Sequence, residues 1–143
     1  MSASLGRVQV NRLDELLKKR AEVAAWYSQN FAEFENVETP KVAGTTTLTS
    51  WFVYVIRLAP GINRNTVVEK LKNQGVPARP YFVPIHLQPY MVERFGYKAG
   101  DFPVTEDIGQ RGLALPFSSV MKKSQVEYVC AVLKNILVDQ EGL

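Results

Sequence analysis

Apolar positions at the start of the chain recur at helical spacing. Leu13, Leu17, Ala24, Tyr27, Phe31 and Phe34 are three, four or seven residues apart, with Arg20 in the open slot. The pattern predicts one helix from about Ala3 to about Phe34. That is long beside a typical helix of about 11 to 12 residues. Leu5 and Val8 already carry the stripe at the N-terminus, with only Ser2 or Ser4 to cap it. Such a length suggests a coiled coil or a helix whose first turns pack on something outside the chain, and it leads us to expect a segment of a larger protein. A polar, threonine-rich stretch from Val37 to Ser50 then gives way to Trp51-Phe52-Val53-Tyr54-Val55-Ile56-Arg57-Leu58, which reads as a central strand buried on both faces.

Pro60-Gly61 ends that strand, Asn63 is placed to cap a helix carrying Val67, Val68 and Leu71, and Gly75 sits where a C′ glycine belongs. A second strand is expected over Val76 to Phe82, and so short a crossover implies a small sheet covered by helices on one side. Pro89 can open a short helix through Phe95 that Gly96 closes. Thr105 is the expected cap of another, which Gly109 and Gly112 would weaken by about 1 kcal/mol each. Leu113-Ala114-Leu115-Pro116 reads as an edge strand. In the last helix Ser124 and Glu127 form a capping box ahead of the stripe Val126, Val129, Cys130, Leu133, Ile136 and Leu137. The fold class is α+β: a small, mostly antiparallel sheet packed against helices, with a long N-terminal helix.

Composition narrows the classes. A chain of 143 residues with 46% hydrophobic positions can bury roughly 68% of its unfolded surface in one core. One cysteine, Cys130, permits no disulfide within the chain and suits a reducing compartment. No run approaches the roughly 18 to 20 apolar residues of a membrane span, and Met1-Ser2-Ala3-Ser4 lacks the features of a signal peptide. The expected location is cytoplasmic, with no membrane partner. Net charge is only +3, concentrated in residues 37–80 with six basic against two acidic groups. That excess suits either an anionic ligand or scattered solvated side chains. The RNA-binding RNP1 pattern is absent, and no nucleic-acid partner is expected.

Most catalytic templates fail as well. A single cysteine and a single histidine exclude a clustered thiolate or zinc-knuckle site, and no metal is expected. Neither a phosphate-cradling glycine loop nor a G-x-S-x-G elbow is present. Polar chemistry gathers instead in a proline-stiffened loop holding Arg79, Tyr81, His86 and Tyr90. His86 between Ile85 and Leu87 reads either as a satisfied core histidine or as a ligand contact. Arg79 can pair with a surface carboxylate or grip a carboxylate or phosphate through two parallel hydrogen bonds.

The run Arg79-Pro80-Tyr81-Phe82-Val83-Pro84-Ile85-His86-Leu87-Gln88-Pro89-Tyr90 is followed by Glu93-Arg94-Phe95-Gly96-Tyr97-Lys98-Ala99-Gly100-Asp101-Phe102-Pro103-Val104-Thr105-Glu106 and then Leu113-Ala114-Leu115-Pro116-Phe117. Together these resemble the C-terminal part of the DegT/DnrJ/EryC1/StrS aminotransferases, and Leu5 to Leu13 resembles their interdomain helix. Val83 departs from the pattern, standing where proline is expected. The resemblance implies residues 1–36 as interdomain helix and 37–143 as the small domain of a homodimeric enzyme. Such enzymes use pyridoxal phosphate to move an amino group from glutamate or glutamine onto a nucleotide-linked keto sugar. It further implies Arg79 and His86 as substrate-binding residues on one exposed side of the domain. The Schiff-base lysine of the family belongs to its large N-terminal domain; Lys18, Lys19, Lys70, Lys72, Lys122, Lys123 and Lys134 match no such motif. The segment alone is therefore expected to be inactive and to bind the cofactor mainly through the missing domain. A stand-alone, non-catalytic ligand- or partner-binding module is the other reading.

Overall fold

In the computed structural model, which describes residues 2–141, the helices are α1 (Ser2–Asn11), α2 (Leu13–Phe31), α3 (Arg64–Asn73), α4 (Pro89–Phe95), α5 (Pro103–Arg111) and α6 (Lys123–Glu141). Four short strands, β1 (Val37–Glu38), β2 (Tyr54–Leu58), β3 (Arg79–Pro80) and β4 (Gly112–Leu115), form one sheet in the order β1-β2-β4-β3, every pair antiparallel. This is the α+β architecture, a small antiparallel sheet packed against helices, expected from the sequence.

Alternation along β2 turns Tyr54, Ile56 and Leu58 inward, where the register sets Tyr54 beside Leu115 and Ile56 beside Leu113. Buried side chains of α2, α3 and α6, among them Val23, Tyr27, Phe31, Leu71, Leu133 and Leu137, complete the core on that face. Tyr27 stacks on Tyr54 with ring centroids 4.9 Å apart. Their hydroxyls do not go unpaired: Tyr27 donates to the Pro116 carbonyl at 2.6 Å and Tyr54 meets the Ser28 hydroxyl at 2.8 Å. Burial pushes the Tyr54 phenol and the Cys130 thiol up to about 12 each. Cys130 is a packing residue with no thiolate chemistry at neutral pH.

Local punctuation follows the sequence where backbone chemistry dictates it. Asn63 caps α3, accepting from the Asn65 and Thr66 amides at 3.0 and 3.2 Å, and Gly75 takes a φ of +72° just past its end. Elsewhere the boundaries differ from those expected. The single N-terminal helix divides at Arg12 (φ −107°, ψ 8°), whose amide bonds to Gln9 rather than continuing the i−4 ladder, and α2 ends at Phe31. Val76 to Phe82 contributes only two strand residues, since Pro77 and Pro80 offer no amide to a ladder. Trp51 takes a φ of +49° and Phe52 is 75% exposed, so the aromatic strand begins only at Tyr54. Leu113 to Leu115 is the inner strand β4, not an edge strand. α5 starts at Pro103, two residues before Thr105, and Gly112 lies beyond it. The expected Ser124–Glu127 box gives way to Gln125, whose side chain accepts from the Lys122 amide at 2.9 Å.

Candidate functional site

A second layer, built from β3, the turn Ile85–Leu87, α4 and α5, lies outside this core. Three anchors hold it there. Arg64 at the start of α3 donates to the carbonyls of Gly109 at 2.5 Å and Gly112 at 3.4 Å. Arg111 donates to the Leu58 carbonyl at 2.6 Å and to Asp107 at 2.7 Å, while Arg57 of β2 bridges Glu38 and Asp107. Third, a Cβ on Gly109 would stand 2.8 Å from Pro84 Cδ. The glycine that weakens α5 as a helix is therefore what lets the proline-rich loop lie against it.

His86 is 7% exposed and sits at the centre of this layer. Its Nε2 lies 3.0 Å from Glu106 Oε1. The same carboxylate accepts from the Gly100 amide at 2.9 and 3.0 Å and from the Phe102 amide at 3.3 Å. Gly100 takes a φ of +95°, open to glycine, and this turns the chain so that both amides face one side chain. The His86 bond leads in holding the Glu106 carboxyl below the usual glutamate range, burial opposes it, and the two amides assist. Aromatic rings frame the imidazole: Phe102 at 4.7 Å and Tyr97 edge-on at 6.4 Å, with Phe95 beyond at 5.8 Å from Tyr97.

Two expectations about this loop change. His86 was expected at least partly exposed; it is buried, because Glu106 twenty positions along the chain supplies its partner. Tyr90 was expected to pack, yet it is 61% exposed, while Tyr81 lies half-buried against Phe82 with centroids 4.6 Å apart. Arg79 is exposed on β3 opposite Ala114 and has no carboxylate partner among the described residues. Glu106 ends the second motif run of the sequence but was given no role there; that motif and its place after the Gly100-Asp101-Phe102 turn were its only signals. Apolar side chains around the loop face outward, Phe82 at 72%, Ile85 at 65% and Val104 at 70% exposure. A shallow cleft of about 240 Å³ runs between the proline loop and α5.

A pyridoxal phosphate seat needs a lysine amine, an acidic partner and a phosphate cup. Every lysine among the described residues is exposed or half-buried; Lys19 pairs with Glu15, Lys123 with Glu127, and Lys134 lies over the Phe31 and Phe34 rings. The residues present do not make such a seat by themselves. No metal-binding cluster occurs among the described residues, and no described helix is long and apolar enough to cross a membrane.

Comparison with known proteins places this arrangement. Over 141 residues the chain is 33% identical to GDP-perosamine synthase of Caulobacter vibrioides and 30% identical to the spore coat polysaccharide biosynthesis protein SpsC of Bacillus subtilis. Each match covers 96% of the chain but only 37% and 36% of the relative, so the chain spans little more than a third of the length of these curated relatives. Among solved structures, the aminotransferase TlmJ of Streptoalloteichus hindustanus superposes with a TM-score of 0.85 at 25% identity, over 96% of this chain and 36% of that one. A sugar aminotransferase of Streptococcus pneumoniae, solved in its PLP-form, shares the fold at a TM-score of 0.82 and 22% identity, over 94% of this chain and 34% of that one. The pattern of the DegT/DnrJ/EryC1/StrS aminotransferase family matches residues 1–134, and the chain belongs to that family.

Proposed function

We propose that this chain is the C-terminal small domain of a pyridoxal-phosphate-dependent aminotransferase that acts on a nucleotide-linked keto sugar, with glutamate or glutamine as amino donor. The observation that carries the reading is the match over nearly the whole chain to GDP-perosamine synthase, at little more than a third of that enzyme's length. A dTDP-4-dehydro-2,3,6-trideoxy-D-glucose 4-aminotransferase of Saccharopolyspora spinosa, 28% identical over 130 residues, supports the same substrate class. Residues 1–36 are read as the interdomain helix and 37–143 as the small domain of a cytoplasmic homodimer. The exposed apolar side chains of α1, Leu5, Val8 and Val10, and those around the proline loop fit a role in contacts with the rest of such an enzyme.

In this reading the cofactor, seated in the large domain, supplies the electron sink for amino transfer. The chain's own residues close and shape the substrate side. Arg79, free of a carboxylate partner, binds the anionic portion of a substrate, and the loop centred on His86 contacts the sugar. The chain alone is inactive: pyridoxal phosphate mixed with it gives no lysine-dependent absorbance band.

The test is to supply a protein carrying this chain and the preceding family domain with a nucleotide-linked keto sugar and glutamate or glutamine, and to look for the amino sugar by mass spectrometry. Formation of the amino sugar by the longer protein and not by the chain alone is expected. Turnover by the chain alone, or none by the longer protein on any nucleotide-linked keto sugar, overturns the reading.

A further inference from the structure

Glu106 spends its carboxylate entirely inside the chain, and what it does there bears on the chemistry of His86. We propose that Glu106 is a positioning residue: it fixes the His86 imidazole with its proton on Nε2 and thereby leaves Nδ1 as an acceptor for a sugar hydroxyl. The hydroxyl assignment rests on the sugar-aminotransferase reading; the assignment of the proton does not.

An ionised carboxylate can only accept, so the proton of the 3.0 Å His86–Glu106 bond belongs to Nε2. In a neutral imidazole the other nitrogen is then an acceptor. Nδ1 makes no hydrogen bond to any described residue, yet among the described residues no fully buried side-chain nitrogen or oxygen lacks a partner. Nδ1 therefore reaches the surface even though the side chain as a whole is 7% exposed. The result is one lone pair held still at the edge of an otherwise buried ring. The Gly100 and Phe102 amides donate to the same Oε1 that meets His86, and Gly100 also to Oε2, so Glu106 cannot swing away without giving up these bonds to the Gly96–Phe102 turn.

The rim selects among ligands. Phe102 beside the imidazole is 44% exposed, and Phe95, which meets it only through Tyr97, is 55% exposed. A sugar offers hydroxyl donors together with C–H faces that lie well on aromatic surface, and an acceptor set among rings matches that pair. A phosphate or carboxylate would meet the Nδ1 lone pair and the Glu106 charge, so the anionic part of a nucleotide sugar belongs elsewhere.

His86 is the sole histidine, so nitrogen-15 spectra of the chain, recorded above neutral pH without added tags, report one imidazole. The expected spectrum has a protonated Nε2 and an unprotonated Nδ1, and in Glu106→Gln the Nε2 proton exchanges on the order of tenfold faster because the charge-assisted bond is lost. A proton on Nδ1, or an exchange rate unchanged in the variant, overturns the role of Glu106.

Two isosteric changes in the longer enzyme test the acceptor. His86→Asn sets an amide oxygen where Nδ1 stands, and His86→Gln sets an amide nitrogen where Nε2 stands. The Asn variant is expected to keep KM for the nucleotide sugar within a few-fold, and the Gln variant to raise it roughly tenfold with kcat little changed, which is about 1.4 kcal/mol of binding. Rescue by Gln and not by Asn, or equal behaviour of the two, overturns the acceptor role. Absence of amino transfer by the wild-type longer enzyme overturns the functional reading and the hydroxyl assignment with it, while the nitrogen spectrum still decides Glu106.

Discussion

The inner and outer layers of this small domain solve the problem of order differently. Between the sheet and α2, α3 and α6, large side chains such as Tyr27, Phe31, Ile56 and Leu133 are almost completely buried, and apolar area does the holding. The outer layer has little of this. Neither α4 nor α5 buries a residue, and the buried position there is a histidine. Its shape comes from directional bonds made by Arg64, Arg111 and Glu106, and from proline stiffness against a glycine. A layer held by a few hydrogen bonds can leave its apolar side chains turned outward, where they are free to meet a substrate or another domain.

Breaking the inner layer should cost most. Leu133→Ala opens a cavity in a fully buried site and is expected to lower stability by about 2–5 kcal/mol, measured by urea unfolding of the chain. A loss below about 1 kcal/mol would mean that the core is looser than its burial implies. In the outer layer the largest effect falls on Gly109. The Cβ of Gly109→Ala would press on Pro84 at a cost of roughly 1–3 kcal/mol, against about 1 kcal/mol regained in helix propensity. Net destabilisation is expected, with amide shifts confined to residues near 81–86 and 105–112. Shifts spreading into α6 would erase the distinction between the layers.

A smaller, pH-dependent effect isolates the Glu106 hub. Its carboxyl is held below the ordinary glutamate value of 4.5 while the turn is closed. Around and below that value the opened turn binds a proton that the closed turn does not. The stabilisation is thus complete above about pH 4.5 and fades as pH falls further. Protection of the Gly100 and Phe102 amides, taken relative to their intrinsic exchange at each pH, should fall on acidification ahead of that of the core amides, and simultaneous loss of both would count against a separable outer layer. Smallest of all is Arg79→Ala, expected to shift stability by no more than about 0.5 kcal/mol while impairing sugar-nucleotide turnover in the longer enzyme. A larger loss of stability would reassign Arg79 to holding the sheet.

Much of this was readable from the chain because it rests on short-range chemistry. The stripe of α6, the Asn63 cap, Pro89 opening α4 and Gly96 closing it with a φ of +71° all depend on neighbours within a turn or two. The aminotransferase motif likewise drew attention to the loop around which the outer layer gathers. What escaped depended on partners far along the chain. Nothing near His86 announces Glu106, and nothing near Gly109 announces Pro84.

Sequence alone determined the types of the elements other than β1, which forms in the stretch read as polar loop, together with the core stripe of α6, the family and the loop that bears its motif, since periodicity, caps and proline are properties of adjacent residues. Only the tertiary structure decided that β4 is an inner strand and that His86 is buried with one nitrogen bound and the other at the surface. Each of those outcomes is set by pairing or packing across space, where a hydrogen bond or a van der Waals contact depends on distance and not on order along the chain.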